Sequence, residues 1–209
     1  MSAQLNVVKH AVLADRLSVL RDRETPWPAF RQAMYECSAI MAVEAARELD
    51  LAEHPINTPL EATTGLRLAE QVVVVPVLRA GLGMVDGFLR LLPDARVGHL
   101  GMARDEHAHK PVDYYSRLPP ALETSRVFLL DPMLATGGSA VNALRHLRGS
   151  GAQRLELVCL VSAPEGIEAV TAAHPEVKIW TAAVDRELDL NAYIRPGLGD
   201  AGDRVFGTL

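Results

Sequence analysis

The stretch Asp131-Pro132-Met133-Leu134-Ala135-Thr136-Gly137-Gly138-Ser139 sets a carboxylate, two hydroxyls and paired glycines between an apolar run and a helix start. The run, Val127-Phe128-Leu129-Leu130, reads as a buried strand, and residues 140–148 have helical spacing that stops at Gly149. A strand ending in an acid, then Thr-Gly-Gly-Ser, then a first helical turn can cradle a phosphate. Glycines let the backbone turn tightly and approach an anion with no Cβ in the way. The free N–H groups of the first turn, the hydroxyls of Thr136 and Ser139, and the helix dipole all favour negative charge there. No Lys follows the glycines, so this is not a Walker-type triphosphate loop, and the three-glycine spacing of a dinucleotide site is missing. Alone, Thr-Gly-Gly-Ser is equally compatible with an ordinary turn between strand and helix. Two further motifs decide against that.

The second is Val74-Val75-Pro76-Val77-Leu78-Arg79-Ala80-Gly81-Leu82-Gly83-Met84, again a buried strand leading into a Gly-bearing turn and a helix. Arg79 stands at the strand's end, where a charged side chain is ill suited to a core. Its fork of fixed N–H donors suits a phosphate or diphosphate. Snorkelling at a sheet edge would be the ordinary reading of one such Arg; Gly81 and Gly83 beside it, parallel to the first loop, tip the balance. The third motif runs from Tyr193-Ile194-Arg195-Pro196-Gly197-Leu198-Gly199 through Asp200-Ala201-Gly202-Asp203-Arg204-Val205-Phe206-Gly207-Thr208. So much glycine near a C-terminus would ordinarily fray. Ile194, Leu198, Val205 and Phe206 give it apolar anchors, so an ordered loop is expected.

These motifs need a frame. At 209 residues, with 49% hydrophobic and 22% charged residues, the chain can bury a substantial core. Helices are expected over residues 11–23 and 28–53, with Pro26 and Pro28 punctuating the gap. A short hairpin is expected over 56–68, turning at Thr63-Thr64-Gly65. Strands over 72–75, 97–102, 126–130, 155–161 and 177–183 alternate with helices over 82–92, 139–148 and 164–174. Continuous apolar strands alternating with helices predict an α/β fold: a mainly parallel twisted sheet with helices on both faces. Ligands of such sheets bind beyond the carboxyl ends of the strands, where the motifs fall. The polar stretch 103–118 is long for a connection and reads as an active-site flap.

Net charge is −5 with a pI near 5.8, so no global field invites nucleic acid. No stretch is long and apolar enough to span a bilayer, and the start lacks the segments of a secretory signal. The cytoplasm is the expected compartment. Cys37 and Cys159 are isolated within apolar patterns and read as small core residues.

The three motifs together resemble those of type I phosphoribosyltransferases, and Pro132 with Met-Leu-Ala before Thr-Gly-Gly-Ser resembles the uracil phosphoribosyltransferase family in particular. The resemblance covers nearly the whole chain and implies one phosphoribosyltransferase domain over 1–209. Within it fall an N-terminal helical arm (about 1–55), a core (about 70–185), a flexible hood and a C-terminal uracil-binding segment (about 186–209). It implies conversion of uracil and phosphoribosyl diphosphate to UMP and diphosphate in pyrimidine salvage. Arg79, Arg104, Asp131 and Asp200 would be the catalytic groups. Phosphoribosyl diphosphate would be held by these and by Pro132, Met133, Leu134, Ala135, Thr136, Gly137, Gly138 and Ser139, with Asp200 near its ribose. Uracil would be read by the backbone of Ile194, Gly199, Asp200 and Ala201. The chemistry supports that last assignment: uracil's edge alternates acceptors and donors as a peptide does, and a backbone N–H aimed at its carbonyl rejects cytosine's amine.

Further implications are Mg²⁺ bound mainly through phosphoribosyl diphosphate, GTP as an activator, and a homodimer or higher homo-oligomer. No metal site of the protein's own is expected. Many wider relatives carry acids where Pro132 and Ala135 stand here, so protein ligation of a metal is thin. His107 and His109 lack the further ligands a site needs. The hood departs from the family at Ala103, His107 and Lys110, being more basic. A pyrimidine-operon attenuator that binds RNA is a rival; Gly138, Pro132 and the acidic pI argue against it. A catalytically dead scaffold is the other, opposed by Arg79, residues 136–139 and residues 199–201.

Overall fold

A computed structural model describes residues 5–104 and 111–208, with the backbone alone for 102–104 and 111–114. Strand β1 (Leu5–Val7) precedes helices α1 (Ala11–Arg21) and α2 (Trp27–Ala45) and the antiparallel hairpin of β2 (Leu51–Asn57) and β3 (Ala62–Leu68). Next come β4 (Val72–Leu78), α3 (Leu82–Leu91), β5 (Arg96–Val97), β6 (His99–Arg104) and β7 (Pro111–Arg117). The second half contains β8 (Arg126–Leu130), β9 (Met133–Leu134), α4 (Gly138–Gly149), β10 (Arg154–Ser162), α5 (Pro164–Ala173) and β11 (Lys178–Val184). Short β12 (Glu187–Leu188), β13 (Ile194–Arg195) and helix α6 (Ala201–Phe206) close the described chain.

The main sheet runs β1-β11-β10-β8-β4-β6-β7, with β5 added on β4 and β9 on β10. Every pairing in it is parallel except β6 with β7. Alternation along each strand sorts side chains to two faces. Val72, Val74, Phe128, Leu130, Val158 and Leu160 face α1, α2, α3 and α6, whereas Val73, Val75, Leu129, Leu157 and Cys159 face α4 and α5. Both faces are covered, which is why these strands read as unbroken apolar runs. Both cysteines are buried and free. Glu156, buried in β10, is satisfied by Arg126 and by Trp180 Nε1, each at 2.6 Å. None of the described helices is long and apolar enough to cross a membrane.

Several boundaries differ from the sequence expectation. The second helix ends at Ala45 and a 3-10 turn, Ala46–Glu48, not at residue 53, because Leu51 already pairs with Leu68. Thr63-Thr64-Gly65 is not the hairpin's turn: these residues pair with Ile56, Pro55 and His54, and Thr58 closes the turn by bonding Glu61 and Leu60. Strand β4 continues through Pro76 to Leu78. The flap stretch includes the ends of β6 and β7, which pair antiparallel on the sheet edge; residues 105–110, with His107, His109 and Lys110, lie outside the described residues. The C-terminal segment contains α6 rather than loop alone.

Candidate active site

Asp131 follows β8, and the chain then runs through β9 and Thr136 to Gly138, where α4 starts. Gly137 caps α4 with φ +82°. A Cβ there would stand 2.8 Å from Ala169 Cβ and 2.9 Å from Gly166 O, so α5 presses against the loop and only glycine fits. The helical ladder begins with Val141 N–H donating to Gly137 O at 2.8 Å. The N–H groups before it have no intrahelical acceptor and present a positive end to the cleft. Thr136, Gly138 and Ser139 are exposed there.

That cleft holds about 280 Å³. One wall is Met133, Leu134, Ala135 and residues 136–140; the other is Asn191, Ala192, Tyr193, Ile194, Leu198, Gly199 and Asp200, with Asp131 at its floor. Burial pushes the Asp131 carboxyl up to about 6, opposed only by an N–H from Met133 at 3.3 Å. Pro132 does not reach the cleft: it is buried, and its carbonyl accepts N–H bonds from Leu160 and Val161, each 3.1 Å.

The register Pro76↔Leu130 sets the end of β4 beside the end of β8, and so brings Arg79 to the same sheet edge as Asp131. Its side chain is about half exposed and donates to Asp203 Oδ1 in α6 at 2.9 Å. The Leu78–Arg79 and Arg195–Pro196 peptide bonds are cis.

The C-terminal wall is held from several sides. Arg195 O accepts from Arg186 N–H, closing the β12–β13 ribbon. Asp189 accepts N–H bonds from Asn191 (2.9 Å) and Tyr193 (3.0 Å) and pairs with Arg195, holding its carboxyl below the usual range, with the Tyr193 bond the largest cause. Asp200 caps α6, accepting from Asp203 N–H at 3.0 Å. Buried Arg204 donates to the carbonyls of Leu20, Leu198 (2.7 Å) and Asp22 (2.6 Å) and lies 4.2 Å over the Phe30 ring. Ala201 is fully buried behind the wall in the first turn of α6.

The structure thus brings Asp131, residues 133–139, Ile194, Gly199 and Asp200 around one cleft; Arg79 does not line it and is tied to Asp203 of α6, and Pro132 and Ala201 are buried behind it. The side chain of Arg104 lies outside the described residues. Asn191, Ala192 and Asp203 were not singled out from sequence. Asp189 two residues before Asn191 was the available signal for the turn, since an Asx side chain bonds its own backbone two residues on.

A family model for uracil phosphoribosyltransferase matches residues 7–208. The uracil phosphoribosyltransferase of Salinibacter ruber (strain DSM 13855 / M31) is 56% identical over 204 residues, covering 98% of this chain and 97% of the relative. That of Lactococcus lactis subsp. cremoris (strain SK11) is 49% identical over 209 residues and covers 99% of each. The solved AQ2163 protein from Aquifex aeolicus has a TM-score of 0.93 at 35% identity, over 97% of this chain and 98% of that one. A hypoxanthine phosphoribosyltransferase from Staphylococcus aureus, at 11% identity and TM-score 0.53 over 80% of this chain and 85% of that one, shares the fold.

Proposed function

This chain belongs to the uracil phosphoribosyltransferase family, and on that basis we propose that it converts uracil and phosphoribosyl diphosphate to UMP and diphosphate. The observation that carries the reading is the cleft itself, with a phosphate cradle on one wall and the 191–200 backbone on the other. Residues 136–139 hold the 5-phosphate and so present the anomeric carbon to uracil. The bond from uracil N1 to that carbon forms as its bond to diphosphate oxygen breaks, and the N1 proton leaves to water or a substrate oxygen. Arg79 and Arg104 offset charge growing on the leaving diphosphate. Ile194, Gly199 and Asp200, which line the cleft, read the base through their backbone. Asp131 and Asp200 face the ribose.

Mg²⁺ fits as a companion of the substrate. Among the described residues no cluster of three or more His, Cys, Asp or Glu could hold a metal, and Asp131 and Asp200 are the carboxylates that line the cleft. Bound with phosphoribosyl diphosphate, it would neutralise charge on the leaving group. The same reading makes the whole chain one catalytic domain, cytoplasmic, homo-oligomeric and activated by GTP. The hairpin β2–β3 supports self-association: Leu51, Leu66 and Leu68 are exposed, and the register puts all three on one face.

The test is UMP formation from uracil and phosphoribosyl diphosphate with Mg²⁺, with cytosine, hypoxanthine and orotate in parallel and with or without GTP. Turnover with uracil alone supports the reading, and a rate rise with GTP supports activation. Turnover with another base would sink the base assignment to residues 194–201. Phosphoribosyl diphosphate binding without turnover of any base would point to a non-catalytic role.

A further inference from the structure

Asp185 stands one residue past β11, at the carboxyl edge of the sheet, where its N–H donates to Ser162 O at 2.8 Å. Its side chain is nearly buried, and it receives both ends of the Arg21 guanidinium, Nη1 at 2.8 Å and Nη2 at 2.6 Å. The same pair holds Gly197 by both of its backbone groups. Gly197 N–H donates to Asp185 Oδ2 at 3.0 Å, and Gly197 O accepts from Arg21 Nη1 at 2.8 Å. Gly197 has φ +65°, and a Cβ there would stand 2.2 Å from Ile194 O, so the chain folds tightly between Ile194 and the cleft-lining Leu198 and Gly199.

Gly197 N–H belongs to the peptide group before the residue and Gly197 O to the one after it, so with both committed neither flanking peptide plane is free to turn. Fixing Gly197 therefore fixes the direction in which the following backbone presents its N–H and C=O groups. A bidentate Arg–carboxylate pair is the strong, orienting form of such a contact. Arg21 closes the last turn of α1, far from the phosphate cradle in sequence and on another element.

We infer that Arg21 and Asp185 are positioning residues for base recognition: together they set the Gly197 turn, and through it the backbone that reads uracil. This deepens the functional reading and rests on it. Neither residue need touch either substrate. Loosening the pair lets the reading groups drift, which costs uracil binding and weakens rejection of cytosine, while the phosphate cradle on α4 is left as it was.

The experiment compares wild type with Asp185→Asn, Arg21→Gln and Arg21→Lys, varying uracil at saturating phosphoribosyl diphosphate and the reverse, with cytosine as competitor and a thermal melt as the folding check. The expected result is a rise of about 10-fold or more in KM for uracil. KM for phosphoribosyl diphosphate should stay within about two-fold, and the preference for uracil over cytosine should fall. Arg21→Lys should fall between wild type and Arg21→Gln, because Lys keeps the charge and loses the fork. An unchanged KM for uracil in folded variants overturns the inference. So do equal rises for both substrates with a lowered melting temperature, which would mean a merely structural pair. Should Asp185→Asn fail to fold, the two Arg21 variants decide by the same readouts. A wild type that does not turn over uracil sinks the functional reading itself; variants matching an active wild type sink only the clamp.

Discussion

Arg79 Nη2 donates to Asp203 Oδ1 at 2.9 Å, so the arginine at the end of β4 is held by the helix that follows cleft-lining Gly199 and Asp200. Both side chains are partly exposed, so solvent screens the pair and its stability contribution is small. Its meaning is orientation: one arm of the guanidinium is fixed, and among the described residues Asp203 is its hydrogen-bond partner.

Arg79→Ala should therefore lower kcat/KM for phosphoribosyl diphosphate by about 100-fold or more, with the melting temperature almost unchanged. Asp203→Asn should lower it in the same direction but less. Hydrogen bonding by Thr208 and then Arg79 holds the Asp203 carboxyl below the usual range. A depressed carboxylate contributes above its unfolded pKa and is lost only as pH falls through the folded one. The ratio of wild-type to Asp203→Asn activity should thus be flat from about pH 6 to 9. A wild-type kcat/KM in Asp203→Asn would make the contact incidental.

Asp131 gives the opposite sign. Its folded pKa, about 6, lies above that of an unfolded carboxyl because burial disfavours the charge. The folded protein then binds this proton more tightly, so stability is full below the unfolded pKa and is lost as pH rises through about 6. Asp131→Asn should be more stable than wild type at pH 7.5, on the order of 2 kcal/mol, with the gap closing below about pH 4. Its turnover should collapse. Urea melts at the two pH values, beside an activity assay, check both halves. Equal stability at both pH values would refute the assignment.

Gly137→Ala forces a methyl against Ala169 and Gly166 O at positive φ. The expected cost is about 1–3 kcal/mol. On the proposed assignment of residues 136–139 to the 5-phosphate, the methyl pushes that loop off α5, so KM for phosphoribosyl diphosphate should rise more than KM for uracil. Steady-state kinetics with a thermal melt would show it, and a rise confined to uracil would contradict the placement of the 5-phosphate.

The hairpin predicts association. Double substitution Leu66→Glu with Leu68→Glu places two charges on its apolar face, where Leu66 opposes Glu53 and Leu68 opposes Leu51. Sedimentation should show wild type as a homo-oligomer and the double variant as a smaller species. A wild type sedimenting as a monomer, or a variant of unchanged size, would remove the hairpin from the interface.

By itself the sequence determined the parts whose signal is local. The runs 72–75 and 127–130 are apolar on both faces because the sheet is covered on both sides, and residues 136–139 mark a strand-to-helix turn by chemistry contained in the turn. Local chemistry also misled. Thr63-Thr64-Gly65 has turn-forming residues, yet cross-strand pairing with residues 54–56 outweighs that preference and makes them strand. Only the tertiary structure decided that Arg21 meets Asp185 across 164 residues and Arg79 meets Asp203 across 124. Those contacts follow from strand order and helix placement, which set where chain ends converge. Periodicity and turn chemistry report the preferences of a few neighbouring residues, so nothing within either segment names its distant partner.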